Sequence, residues 1–369
     1  MFNFGKCYKY LDMVNHGFWD IKKILTYGRP AMIVTGSRSV GKSTQVALLC
    51  LLTYTIYGKK FAYIRRRPID VQKTYKTFFN NAVEIYNRYL PLKKIVGFKA
   101  FKGSYWIAFS LDDDEEPVWE ECGSYIALSQ EENYKSNSFS EYVIMIYDEF
   151  ISKDKNKYMG TKENTDAEWD AMMSLYQTID RGIDAPFRNE TVIFCLGNKS
   201  TVYNPIALSL GLVDYVTKGA RFTNPKGKQW VWEDIDGVDA TVNYEDSYAY
   251  QLSTERTKDY AYENKGEDTE EFIKRPEVAK YYITVRFKGN DYGIYYDKES
   301  NWYIDKPKDW YSCISLDVAS HKKTDVQLIK KWTNDYTMME LSQAYAEGRL
   351  YFGSGKIQAL FLRYLEFTQ

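Results

Sequence analysis

Residues 31–58 read AMIVTGSRSVGKSTQVALLCLLTYTIYG, and the order of residue types in this stretch decides the fold. AMIVTG, 31–36, is a short apolar run ending on glycine, and TQVALLCLLTYTIYG, 44–58, has the composition of a buried helix closed by a terminal glycine. Between them GSRSVGKST, 36–44, matches Gly-x4-Gly-Lys-Ser/Thr in a strand-to-helix setting, the context that turns the pattern into a phosphate-binding loop. Gly36 and Gly41 let the backbone curl, so that the N–H groups of Ser37, Arg38, Ser39 and Val40 and the helix N-terminus face negative charge. Lys42 is the point charge for the β and γ phosphates of ATP. Ser43 offers its hydroxyl to Mg2+, and Thr44 sits one step along the helix.

Working outward, FAYIRR at 61–66 reads as a second strand, and VQKTYKTFFNNAVEIYNRYL at 71–90 as an amphipathic helix that stops before Pro91. This βαβα rhythm implies a parallel sheet. SYWIAFSL and SYIALS read as strands on either side of an acidic loop, DDDEEPVWEE. YVIMIY at 142–147 is a strongly apolar strand, DAEWDAMMSLYQTI at 166–179 a helix, and TVIFCLG at 191–197 another buried strand.

YVIMIYDEF ends in Asp148 and Glu149, placing two carboxylates at the edge of the sheet where open α/β folds bind ligands. Alone, an acidic pair after a strand is a solvated strand end. Beside a phosphate loop it completes a set of roles: Asp148 for Mg2+, Glu149 to orient and deprotonate the attacking water. TVIFCLGNKS delivers Asn198 to the same edge as a polar sensor of the γ-phosphate or that water. Arg181 and Arg188 lie between the last two strands, from where an arginine reaches an adjacent subunit's nucleotide or makes an ordinary surface salt bridge.

Composition bounds the rest. The 369 residues allow one large or two medium domains, and 34 Tyr in a 17% aromatic chain demand packed cores. A formal net charge of -1 gives no global footprint for nucleic acid, so a DNA-binding face has to come from local segregation. Between positions 58 and 102 twelve basic residues, Arg65, Arg66 and Arg67 among them, face only Asp70 and Glu84. Such an island neutralises backbone phosphates, or is a solvated helix face. Five widely spaced cysteines without a CxxC pair suggest neither a disulfide framework nor zinc, and two histidines leave little room for histidine chemistry. The N-terminus lacks the apolar core of a signal peptide, no apolar run reaches the roughly 20 residues of a membrane span, and a soluble protein with no membrane partner is expected.

The domain expectation is 1–205 for the nucleotide domain, 206–275 for a polar linker or small subdomain, and 276–369 for a smaller α/β domain. In the last, EVAKYYITVRFKGNDYGIYYDKESNWYID alternates as antiparallel strands with turns at KGND and DKES. CISLDVA adds a strand and IQALFLRYLEFTQ a helix.

The ordered set GSRSVGKS, YIRRR, YKSNSFSEYVIMIYDEF, LYQTIDR and FCLGNKSTVYNP resembles the DNA-packaging ATPases of small podoviruses related to phage phi29. The resemblance is close over most of residues 25–210 and extends more weakly to the closing LSQAYAEGRLYF. It implies an additional-strand, conserved-glutamate (ASCE) P-loop ATPase domain with a largely parallel sheet, a linker, and an RNase H-like domain without nuclease activity. It implies, too, a homopentameric ring at the portal vertex in the host cytoplasm that drives double-stranded DNA into an empty prohead, in some members with a structural packaging RNA.

By this resemblance Arg181 falls on the trans-acting arginine finger, with Arg188 as second choice, and Lys135 on a basic position near the subunit interface. The family's Arg-Arg-aromatic-Lys sequence appears here as Arg65, Arg66, Arg67, Pro68, leaving open which arginine stands in for the lysine. The loss of nuclease chemistry also has a direct reading. Two-metal cleavage needs a carboxylate cluster, whereas the first tail strand carries Arg286 and Lys288, and Asp317 is the obvious strand acid. Against the motor stand a nucleotide kinase, disfavoured by Glu149 following Asp148, another helicase-type translocase, and a nucleotide-gated binding module.

Overall fold

The structure is a computed structural model that describes residues 1–14, 19–37, 40–135, 137–152, 158–159, 166–182, 186–198, 204–212, 215, 220–235, 248–254, 258, 275–287, 290–307, 315–317, 336–354, 357–358 and 361. The chain divides into two compact units, Met1–Met159 with Glu168–Glu267, and Gly160–Ala167 with Asp268–Gln369. No helix of the described residues is long and apolar enough to cross a membrane.

The first unit opens with helices α1 (Gly5–Val14) and α2 (Ile21–Leu25), then β1 (Ala31–Gly36), α3 (Lys42–Tyr57) and β2 (Lys60–Arg65). Helices α4 (Pro68–Thr74) and α5 (Asn80–Tyr89) lead into β3 (Gly97–Phe101), β4 (Ser104–Leu111) and β5 (Pro117–Ala127). After a 3-10 segment come β6 (Tyr142–Asp148), α6 (Ala167–Ile179), β7 (Val192–Asn198), α7 (Pro205–Ser209), β8 (Phe222–Thr223), β9 (Trp230–Ile235) and the short α8 (Tyr248–Gln251).

Nine strands form one sheet in the order β3-β4-β5-β2-β6-β7-β1-β9-β8. The run from β5 through β2, β6, β7 and β1 to β9 is parallel throughout, and β7 is interposed between β1 and β6. That interposed strand defines the additional-strand ATPase topology expected from the resemblance.

Both sheet faces are covered, which is why these strands read as continuous apolar runs. With the two-residue strand period, Met32 and Val34 pack on one face with α1, α2, α3 and α5, while Ala31 and Ile33 pack on the other with α6 and α7. Helix α3 lies within the first of these cores and is buried from Gln45 through Thr53. It ends on Gly58 in the left-handed conformation.

Three expectations are corrected. The single helix over 71–90 is two, with α4 ending at Thr74 and α5 starting at Asn80. The break delivers Phe78 and Phe79 to the aromatic cluster around Tyr63 and Phe61. The acidic loop is shorter than read. Asp112 closes it by accepting the N–H groups of Asp114 and Glu116, and Pro117–Glu121 already belong to β5.

The third correction concerns the boundary at 205. Strand β9, expected inside a linker, pairs in parallel with β1 from Ala31↔Trp230 to Gly36↔Ile235, so the nucleotide domain extends at least to Ile235. Val231 and Ile235 enter one core, Trp230 and Trp232 the other.

The second unit holds β10 (Lys280–Phe287), β11 (Asn290–Tyr296), β12 (Trp302–Asp305), β13 (Ser315–Asp317), α9 (Tyr336–Ala346) and β14 (Leu350–Phe352). Its sheet order is β13-β10-β11-β12-β14. An antiparallel meander is flanked by β13, parallel to β10, which is the RNase H-like arrangement of the first four strands. β14 extends the other edge, parallel to β12. Apart from 357–358 and 361, the expected terminal helix lies outside the described residues.

Candidate nucleotide site

Parallel register brings the site together. Gly36 pairs with Asn198, Asp148 with Leu196, and Ile64 with Tyr147, so the phosphate loop, both carboxylates, Asn198 and Arg65 share the carboxyl edge of four adjacent strands.

Two glycines are required by geometry at the loop. A Cβ on Gly36 would lie 2.8 Å from the carbonyl oxygen of Ile235. Gly41 caps α3 at φ +87°, a region closed to most side chains. Arg38 and Ser39 lie outside the described residues. Lys42 is buried, and its Nζ donates to the carbonyls of Gly36 (2.9 Å) and Ser37 (2.7 Å) and to Asn198 Oδ1 (3.3 Å). Ser43 and Thr44 are half-buried at the start of α3, Val40 is buried, and the Ser37 hydroxyl is buried without a hydrogen-bond partner among the described residues.

The donor set fits ATP and Mg2+. A sixteen-residue helix starts at the loop with its N-terminus toward it, a lysine stands within it, and the buried hydroxyl of Ser37 marks where a further acceptor or donor belongs. Ser43 and Asp148 supply the oxygen ligands Mg2+ prefers.

Asp148 and Glu149 are joined by one cation. Arg65 donates through Nη1 to Asp148 Oδ2 at 2.9 Å and through Nη2 to Glu149 Oε2 at 2.5 Å. Tyr63 adds its hydroxyl to Asp148 Oδ2 at 3.2 Å. Glu149 sits at φ +55°, a strained backbone for a residue with a Cβ, and its side chain is exposed.

Burial raises the Asp148 carboxyl above its ordinary value. Arg65 opposes that shift and the charge of Glu149 adds to it. Burial likewise disfavours the charged form of Arg65, but Asp148, Tyr63 and Glu149 outweigh it and the guanidinium stays above its usual value.

The remaining arginines separate by burial. Arg66, expected as a DNA contact, is buried. Nε and Nη2 donate to both oxygens of Glu168, each at 2.9 Å, and Nη2 donates to the Phe150 carbonyl at 2.7 Å. Glu168 also accepts from the Tyr147 hydroxyl and the Met159 N–H. Arg65 is buried as well, tied to Asp148 and Glu149. Arg67 is exposed, and Lys135 is exposed beside Glu132 at 3.1 Å.

Arg188 is a structural clamp. Its guanidinium donates to the carbonyls of Ser140, Tyr142 and Ile179 at 2.6–2.8 Å and pairs with Glu190. Arg181 is exposed, and its backbone bridges to Phe187. Buried Asp180 closes the base of this loop by accepting the N–H groups of Asn189, Glu190 and Thr191. The clamp fixes the loop at the start of β6, six residues and roughly 20 Å from Asp148.

Two elements of the site were invisible in the sequence. Tyr63 shares the face of Arg65 by the two-residue period, the one signal that marks it. Trp19 holds the loop from behind. Its N–H donates to the Val40 carbonyl at 2.9 Å and its indole to Glu233 Oε2 at 2.9 Å. Glu233, fully buried on β9, is completed by Arg221.

Comparison with known proteins agrees with this fold. The family model described as Podovirus DNA encapsidation protein (Gp16) matches residues 13–366. The DNA packaging protein of Bacillus phage phi29 is 25% identical over 361 residues, covering 92% of this chain and 95% of its own length. That of Bacillus phage B103 is 25% identical over 339 residues, covering 89% and 94%.

Among solved structures, a chain of the bacteriophage Phi-29 viral genome packaging motor assembly superposes with a TM-score of 0.65 at 21% identity, covering 95% of this chain and 99% of that one. A chain of the Phi-28 gp11 DNA packaging motor does so with 0.60 at 17% identity, covering 96% and 97%. At these identities the structural likeness is one of fold. With the family model spanning nearly the whole sequence, the chain belongs to the Podovirus DNA encapsidation protein (Gp16) family.

Proposed function

We propose that this chain is an ATP-hydrolysing motor subunit that drives double-stranded viral DNA through a portal into a prohead. The observation that carries the reading is the meeting of Lys42, Asp148, Glu149 and Asn198 at one sheet edge, with β7 interposed between the strands of the phosphate loop and the acids.

The chain's own residues divide the work. The N–H groups from Ser37 to Val40 and Lys42 hold the phosphates, and Ser43 with Asp148 holds Mg2+. Bound magnesium neutralises phosphate charge during transfer. Glu149 orients and deprotonates water once Arg65 releases it. Asn198, tied to Lys42 in this structure, reports the terminal phosphate.

Arg181 cannot act on its own subunit's nucleotide, because its loop is anchored roughly 20 Å from Asp148 and an arginine side chain spans about a third of that. A role in hydrolysis is therefore a role toward a neighbouring subunit, which favours a homo-oligomeric ring. We assign Arg67, Lys135 and the exposed lysines of the basic island to DNA phosphates and the subunit interface. The ring is assigned five subunits, with the portal protein and a structural RNA as partners, acting in the host cytoplasm on the prohead.

The second unit carries DNA or portal contacts rather than cleavage, since Arg286 on β10 lies in register with Asp317 on β13 where a metal-binding acid would be needed. The test is DNA protection. Proheads, DNA and this protein with ATP should yield nuclease-resistant DNA, and Lys42→Ala should yield none; unprotected DNA with active wild-type ATPase would refute the packaging role.

A further inference from the structure

Tyr63 is buried on β2, its ring packed 4.3 Å from that of Phe78, yet its hydroxyl reaches two polar partners. It donates to Asp148 Oδ2 at 3.2 Å and lies 2.8 Å from Thr74 Oγ1 in the last turn of α4. Thr74 Oγ1 in turn lies 3.0 Å from the Asp70 carbonyl. Three contacts are drawn, but the two hydroxyls own one proton each.

Two arrangements satisfy the protons. In one, Thr74 donates to Tyr63 and Tyr63 to Asp148. In the other, Tyr63 donates to Thr74, Thr74 donates to the Asp70 carbonyl, and Asp148 keeps only Arg65. A full negative charge on Asp148 favours the first, since hydrogen bonds to ionised acceptors are the stronger ones. Drawing that charge elsewhere favours the second, which ties the Thr74 side chain to the Asp70 carbonyl in the last turn of α4.

We propose that Tyr63 is a positioning residue that holds the Asp148 carboxylate before the metal arrives, and that the Tyr63–Thr74 hydroxyl pair links occupancy of the Asp148 site to the last turn of α4. This rests on the reading of Asp148 as the Mg2+ ligand. Helix α4 is well placed to act on that information, because Arg67 precedes it and Lys73 and Lys76 are exposed on and just after it.

The experiment uses the full chain and a fluorescent ATP analogue, measuring affinity in EDTA and in Mg2+ and hydrogen exchange over residues 68–78. Tyr63→Phe should bind like wild type in EDTA, and Mg2+ should add about tenfold more affinity to it than to wild type, the scale of one hydrogen bond to a charged group that the metal no longer has to displace. In the wild type, magnesium and nucleotide should together slow exchange in the last turn of α4. Tyr63→Phe and Thr74→Val should abolish that response while exchange at the phosphate loop still slows, and Thr74→Ser should restore it.

A Tyr63→Phe protein with an unchanged or smaller magnesium gain would overturn the proposal. So would an α4 response that survives both variants. Asp148→Asn separates the two levels: if it also leaves the magnesium gain intact, the reading of Asp148 as the metal ligand is what fails.

Discussion

The guanidinium of Arg65 spans Asp148 and Glu149, 2.9 Å from one carboxylate and 2.5 Å from the other, and so stands as a protein cation beside the acid we assign to Mg2+. Metal and arginine compete for the same charge. Arg65→Gln should therefore lower the Mg2+ concentration needed for nucleotide binding. A magnesium titration of fluorescent-nucleotide binding measures it, and an increased requirement would show that Arg65 supports the metal rather than opposing it.

The Arg66–Glu168 pair is buried at both ends, with side chains 6% and 0% exposed. Removing one partner leaves an uncompensated buried charge, so Glu168→Ala should destabilise the first unit by about 3–5 kcal/mol. Arg67→Ala, at an exposed position, should stay within about 0.5 kcal/mol and instead weaken DNA binding in a salt-dependent way. Chemical denaturation and DNA-binding titrations at two salt concentrations distinguish the two.

Arg181 and Arg188 make opposite predictions. Arg188→Ala removes donors from three carbonyls and should lower the melting temperature. Arg181→Ala should leave melting unchanged and abolish hydrolysis in the assembled ring. Mixing Arg181→Ala subunits, whose own nucleotide sites are intact, with Lys42→Ala subunits should restore part of the hydrolysis, because each supplies what the other lacks. Absence of rescue would argue that Arg181 acts elsewhere.

Burial raises the Asp148 carboxyl, so the folded, metal-free protein binds a proton there more tightly than the unfolded chain does. The sign follows: this group costs stability as pH rises from about 4, the unfolded value, through its raised folded value, and the cost is constant above that. Thermal melts in EDTA across that range should show wild type losing stability relative to Asp148→Asn as pH rises. A difference independent of pH would contradict the shift.

The first βα unit and the acids were legible because their chemistry is local. The run 31–58 carries its own strand, loop and helix signals, and Asp148 follows an apolar strand. What was not legible depended on pairing across long separations. Trp230–Ile235 is six residues between polar runs, and only its partner β1, some 200 positions earlier, makes it a core strand. Arg65, Arg66 and Arg188 read as surface cations because sequence shows charge but not the acid or carbonyl that meets it, here Glu168 and Tyr142. The break between α4 and α5 was hidden because residues 75–79 continue a helical period in sequence, and only the aromatic partners of Phe78 and Phe79 mark the turn.

The most direct test of the motor reading is steady-state ATP hydrolysis with and without double-stranded DNA at two salt concentrations, with Lys42→Ala and Glu149→Gln as controls. We predict hydrolysis that DNA stimulates, stimulation that fades as salt rises, and loss of both in each variant. Hydrolysis that ignores DNA at low salt, or that survives Glu149→Gln, would contradict it.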